Sequence, residues 1–263
     1  VYNRVYVNTD IRFPEESPVP PTPHPNGHAS PAPPKDLGGV IEQERLPAGR
    51  DDLPEPLIAH SQRERLLVSM ADSCAKKGFG ATTIADVCEP AGVSRATFYE
   101  LFKDKEDCFH AAMELSLADA MGRIVAVYSP DKPWATMVRD AAAAFLDLLA
   151  SRPAFARMAL VEAPSSGERA FELYASGKRV LQSLLERGRD DPVEEEAIPS
   201  SAGRAALSAA ESLIVGQILA GNTARLPELL PDVVYITTVP YLGQEEALRQ
   251  SREAEKAIPS ADG

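Results

Sequence analysis

Histidine and cysteine are scarce, and both stop early. The chain has four histidines and three cysteines, and none lies beyond His110. Residues 111 to 263 therefore lack the commonest general base, the commonest nitrogen ligand for metals and the thiol nucleophile. A carboxylate-only active site survives this exclusion, but no paired acidic motif marks one. Cys74, Cys88 and Cys108 are odd in number and widely spaced, with no C-x-x-C pair. That spacing argues against a zinc cage or a redox dithiol, and buried reduced thiols are the expectation. No apolar run approaches the ~20 residues of a membrane helix. No basic segment followed by an apolar core opens the chain, so no secretory signal is visible. The expectation is a cytoplasmic protein with no membrane partner, no metal, no cofactor and no enzymatic activity.

The 263 residues leave room for one large domain or two modest ones, and 44% hydrophobic residues suffice for a real core. A formal net charge of -12 counts against nucleic acid as a partner. Charge sets only the average field, however, and DNA meets the one face turned toward it. Residues 1 to 55 stand apart. "PEESPVPPTPHPNGHASPAPPKDLGG" has almost nothing to bury and reads as a disordered, proline-rich arm. The "VYNRVYVNTDIRF" before it alternates enough to form a strand if something pairs with it. Arg45 and Arg50 could reach a minor groove, opposed by Asp51 and Asp52.

Helical signals begin near Pro56. Leu67, Met70, Ala71 and Cys74 fall at i, i+3, i+4 and i+7, followed by Lys76, Lys77 and Gly78 as a stop. Thr83 with Asp86 approximates a capping box for a second helix striped by Ile84, Val87, Cys88 and Ala91. Pro90 should end that helix early or bend its last turn. Gly92 can turn left-handed, Val93 can plug inward, and Ser94 opens a short third helix with Phe98 and Phe102 inside. Arg95, Ala96, Thr97 and Tyr99 remain for other work. Helix, glycine turn, helix is the sequence form of a helix-turn-helix.

"GFGATTIADVCEPAGVSRATFYELFKDKEDCF" resembles the DNA-binding signature of TetR-family transcriptional regulators, in the threonine pair, "AGVS", "TFYELF" and "KDKE". The match is specific over roughly residues 60 to 110, and "LPELLPDVVYITTVPYLG" is similar to C-terminal regions of AcrR-like, actinobacterial members. The resemblance implies an all-α fold: an N-terminal three-helix helix-turn-helix domain (56–108), a larger effector-binding and dimerisation domain (109–243) and a flexible tail (244–263). It implies a one-component regulator, a repressor, that binds palindromic double-stranded operator DNA as a homodimer and is released by a small apolar effector. DNA contacts would come from Thr82, Thr83, Ser94, Arg95, Ala96, Thr97, Tyr99, Lys103 and Lys105. Arg95 suits guanine O6 and N7, and the threonines, Tyr99 and the lysines suit phosphate. Residues 57 to 110 are not basic overall, which points to weak non-specific binding.

Past "KDKE", Asp104 can cap a helix reaching about Val127, and "YSPDKP" breaks it. Trp134, Met137, Phe145, Phe155, Met158, Phe171 and Tyr174 each read singly as core. Together, under the resemblance, they suggest an apolar effector pocket, with Glu162 and Arg157 as polar orienters. Apolar helices at 202–221 and 226–242 carry Ala209, Leu213, Gly216 and Ala220 on one face, small enough for close approach of a second copy. The rival expectation is a helical protein-interaction scaffold that has kept a helix-turn-helix.

Overall fold

Every regular element is a helix among the described residues, which are 55–129, 131–189 and 198–257 of a computed structural model. The proline-rich arm, the strand expected within it, Arg45 and Arg50 lie outside these residues.

The first helix, α1 (Glu55–Lys77), carries Leu66, Leu67, Met70, Ala71 and Cys74 as one stripe, each at most 1% exposed. It stops where Gly78 turns left-handed at φ 79° and hands its N–H to the Cys74 carbonyl at 2.8 Å. Thr83 then caps α2 (Ile84–Ala91) through a complete capping box with Asp86, whose carboxylate also meets Lys77 Nζ at 2.7 Å.

Pro90 does not end α2 ahead of itself: the helix runs one residue further, to Ala91. A proline withholds its N–H from the carbonyl four residues back, here Asp86. The Ser73 hydroxyl of α1 donates to that carbonyl at 3.0 Å. One turn earlier Ser69 donates to the Val87 carbonyl at 2.7 Å, and a further turn back Arg65 Nη1 donates to that of Ala91 at 2.6 Å. The two helices are thus joined by side chains spaced four apart on α1. Gly92 follows in the left-handed region at φ 62°, its N–H on Glu89 O and that of Val93 on Cys88 O. This paired bonding gives the Cys88 and Glu89 carbonyls partners at the end of α2 and aims Val93 into the core at 8% exposure.

Ser94 caps α3 (Arg95–Leu101) by accepting the Thr97 N–H at 3.0 Å. Asp104 caps α4 (Lys105–Val127), with Glu106 and Asp107 in the first turn, where the helix dipole favours them. Five further helices follow: α5 (Trp134–Ser151), α6 (Pro153–Arg157), α7 (Glu168–Glu186), α8 (Ala202–Leu219) and α9 (Leu230–Lys256). A π turn (Met158–Glu162) continues α6, and a 3-10 segment (Thr223–Leu229) precedes α9.

Two expected boundaries shift. The last helix begins at Leu230 rather than 226, because Thr223–Leu229 winds more tightly ahead of Pro231. The flexible tail expected from 244 is instead helical to Lys256: after a kink at Gly243 (φ 71°) the chain resumes, with Ala247 and Ala254 fully buried. Nor does packing break at 108/109. One core holds Phe98 of α3 and Phe102 just after it, Phe109 and Ala112 of α4, and Met158 and Ala163 beyond α6. A second core joins α5, α8 and α9 through Leu146, Ile214 and Val234.

Two outcomes follow from the α1–α2 joint. Ser73→Ala should cost about 0.5–1.5 kcal/mol in urea unfolding, the net worth of a hydrogen bond to a partly buried carbonyl. Adding Pro90→Ala restores an N–H for Asp86 O, so the double variant should recover most of that loss. Asp86 is held well below the ordinary carboxylate range by hydrogen bonds from Lys77 and Thr83. A depressed folded value gives stability above the unfolded value and loses it as pH falls. Asp86→Asn should therefore be less stable than the native chain at pH 7, the gap narrowing once pH drops below about 3.9.

Candidate functional site

The exposed face of α3 is short and chemically mixed. Ser94, Arg95 and Ala96 are exposed, Tyr99 is 58% exposed, and Thr97 is half-buried against its cap. Phe98 behind them is fully buried, with Tyr99 edge-on to its ring at 5.6 Å. The helix is therefore seated by one aromatic while its first turn points outward. Thr83 lies on the exposed start of α2, and Lys103 is exposed just after α3.

Two expected DNA-contacting side chains turn inward instead. Thr82 is 2% exposed and donates its hydroxyl to the Gly78 carbonyl at 2.8 Å, closing the turn before α2. Lys105 donates to the Phe79 carbonyl at 3.1 Å and rests over the Phe79 ring at 4.4 Å. That single aromatic recruits both its flanking turn and a cation, a pairing that residue spacing alone does not reveal.

The second feature is an apolar cavity of about 150 Å³ among α4, α5, α7, α8 and α9. Of the residues expected to line it, Phe145, Phe155 and Tyr174 do. The others lie elsewhere. Trp134 packs on Tyr241 with its indole N–H on Leu184 O at 3.0 Å, Met137 and Met158 are core, and Phe171 is 48% exposed. The walls are mainly aliphatic, with Leu117, Leu149, Leu181 and Ile214 among them. At Gly177 a side-chain carbon would come within 3.1 Å of Leu117, so α4 and α7 close tightly at that point.

Polar groups unmarked in the sequence also reach this cavity. Glu211 accepts from both Tyr174 and Lys178, while Arg152 Nη1 meets Asp119 at 2.8 Å. Burial is the largest single influence and works to lower Lys178, but the hydrogen bond and charge of Glu211 together with Tyr174 outweigh it and leave the ammonium above its ordinary value. Burial and the same glutamate raise Tyr174. Glu211, the sole acid of α8, was the available signal.

Glu162 is not a pocket orienter. Its carboxylate accepts the Phe79 N–H at 3.1 Å, and Arg157 stands 3.9 Å away. The π turn that carries it presents Ala159 and Leu160 to the cavity and Met158 to the α1 core. The three cysteines are buried and unpaired, and burial pushes the Cys74 thiol up to about 11.

On α8, Ala209, Leu213, Gly216 and Ala220 are all exposed, together with Leu219 at 57%. Among the described residues no helix is long and apolar enough to cross a membrane.

Comparison with known proteins falls on the same parts. Residues 71–112, from the middle of α1 into α4, match the family of bacterial regulatory proteins, tetR family. An uncharacterised HTH-type transcriptional regulator, YerO of Bacillus subtilis (strain 168), is 34% identical over 65 residues, 25% of this chain. The match spans only 22% of that protein's length. Over longer stretches the likeness is one of fold. A gamma-butyrolactone receptor (ArpA-like protein) superposes at TM-score 0.56 and 16% identity, over 76% of this chain and 100% of its own. The regulator FadR of Bacillus subtilis, solved in complex with stearoyl-CoA, does so at TM-score 0.52 and 16% identity, over 68% and 98%. The matched stretch contains the capped α2, the left-handed glycine turn and the exposed α3, so what this chain shares in sequence with the bacterial regulatory proteins of the tetR family is its helix-turn-helix.

Proposed function

We propose that this chain is a one-component transcriptional repressor that binds palindromic operator DNA as a homodimer and is released by a small apolar ligand. The observation that carries the reading is α3. A seven-residue helix seated by a buried phenylalanine leaves Arg95, Ala96 and Tyr99 free at its outer face. Arg95 is the base reader, Ala96 allows close approach, and Thr83, Ser94, Thr97, Tyr99 and Lys103 serve phosphate and backbone. Thr82 takes no direct part, being buried in the turn before α2, whereas Lys105 is half-buried and keeps N–H donors beyond its bond to the Phe79 carbonyl for phosphate. With so few cations on this face, affinity should depend only shallowly on salt.

Two such helices must stand about 34–36 Å apart to read successive major grooves. The apolar outer face of α8 supports pairing of two copies through Ala209, Leu213, Gly216 and Ala220. The cavity supports a ligand; one fold neighbour is solved in complex with stearoyl-CoA, and another is a gamma-butyrolactone receptor. Cytoplasmic residence accompanies the reading.

Arg95→Ala should weaken operator binding by about 1–3 kcal/mol and relax preference at one position per half-site, measured by binding to randomised sites. Unchanged preference would remove Arg95 from base reading. A side-chain carbon at Gly216 meets nothing within 4 Å, so Gly216→Arg disturbs no contact inside the protomer. It should sediment as a folded monomer with poor operator affinity; a fully active dimer would place the interface elsewhere. Failure of the native chain to retain any fragment of its genome in a pull-down would favour the scaffold reading.

A further inference from the structure

Charge in the cavity is balanced group by group. Four ionisable side chains of fixed charge line it, Asp119, Arg152, Lys178 and Glu211, and they form two opposite-sign pairs. Arg123 also reaches Asp119, at 3.5 Å, but does not line the cavity. An ionised ligand buried here would meet no uncompensated partner and would lose its hydration without repayment. A neutral ligand escapes that cost.

The wall adds a second constraint. Beyond Phe145, Phe155, Tyr174 and the four charged groups it is leucine, methionine, alanine, isoleucine and valine, with Ser116, Gly177 and Thr237 among them, which suits a flexible alkyl chain better than a flat ring system. The polar groups add a third. Both Tyr174 and Lys178 already donate to Glu211, so the carboxylate is satisfied. An ammonium has three N–H donors; Glu211 takes one, and Ser208 Oγ stands at 3.5 Å from the nitrogen. What remains is a donor at an apolar wall. It calls for an acceptor without charge.

Resting on the ligand-released reading above, we propose that the effector is an uncharged amphiphile: an alkyl chain bearing an ester, thioester or lactone carbonyl. The carbonyl oxygen accepts from Lys178, and the chain lies along the leucines of α5 and α7. Free carboxylates and alkylamines of the same length are rejected by the paired charges rather than by shape.

The test is calorimetric titration of the full chain with methyl decanoate, decanoate and decylamine at pH 7. The ester should bind about tenfold more tightly than either ion, the order set by the cost of an unpaired buried charge. Glu211→Gln keeps an acceptor for Tyr174 but leaves Lys178 uncompensated, so decanoate should overtake the ester. Lys178→Met leaves Glu211 uncompensated and should favour decylamine. Circular dichroism checks that both variants keep their helices. Equal or tighter binding of an ion by the native chain, or an order unmoved by either substitution, overturns the proposal. So does binding of none of the three. Operator binding measured in parallel separates the two readings: DNA retained without ester binding sinks only the ligand class, and ester binding without DNA sinks only the regulator.

Discussion

Arg65, Ser69 and Ser73 stand one turn apart on α1 and donate to the carbonyls of Ala91, Val87 and Asp86 on α2. Because α2 contains a proline in its last turn, its own ladder is incomplete, and the neighbouring helix completes it. The orientation of α2 is therefore fixed by directional bonds as well as by apolar packing, which alone would tolerate sliding. The Gly92 turn, the inward Val93 and the seat of α3 on Phe98 all take their placement from that joint. A net hydrogen bond contributes only about 0.5–1.5 kcal/mol, but losing one partner of a buried pair costs more. The geometry persists because each polar group inside it has an assigned partner.

Local chemistry was legible wherever a residue acts on its chain neighbours. The Thr83–Asp86 box, the cap at Asp104 and the left-handed Gly92 depend on spacings of a few residues and on intrinsic backbone freedom, which sequence displays directly. Pro90 was read by the same local rule and misread, since its compensation comes from Ser73, seventeen positions earlier and on another helix. Thr82 and Lys105 illustrate the same limit. The Thr82 hydroxyl is taken by the Gly78 carbonyl and the Lys105 ammonium by Phe79, and nothing in the spacing says which of two adjacent threonines turns inside.

The cavity was less legible for a different reason. Aromatic residues and methionines are conspicuous, so Trp134, Met137, Met158 and Phe171 drew attention, yet the walls are mostly leucine and alanine. Aliphatic residues that face a void and those that face each other obey the same helical period. The charged pairs were hidden because each partner lies on a different helix: Tyr174 and Lys178 on α7 with Glu211 on α8, Asp119 on α4 with Arg152 at the end of α5. By contrast, the four small or apolar residues singled out on α8 do share an outward face, because a single helix's period is enough to place them together.

The π turn from Met158 to Glu162 is a partition wall with a different occupant on either side. Ala159 and Leu160 face the cavity, while Glu162 holds the Phe79 amide at the edge of the helix-turn-helix. A molecule that displaces the near side of such a wall must do work on the far side. On the ligand-released reading proposed above, thermodynamic linkage runs in both directions by the same factor: bound duplex lowers the affinity of the cavity for its ligand by as much as bound ligand lowers the affinity for duplex. Occupancy of the cavity at a given ligand concentration then depends, on that reading, on whether duplex is bound.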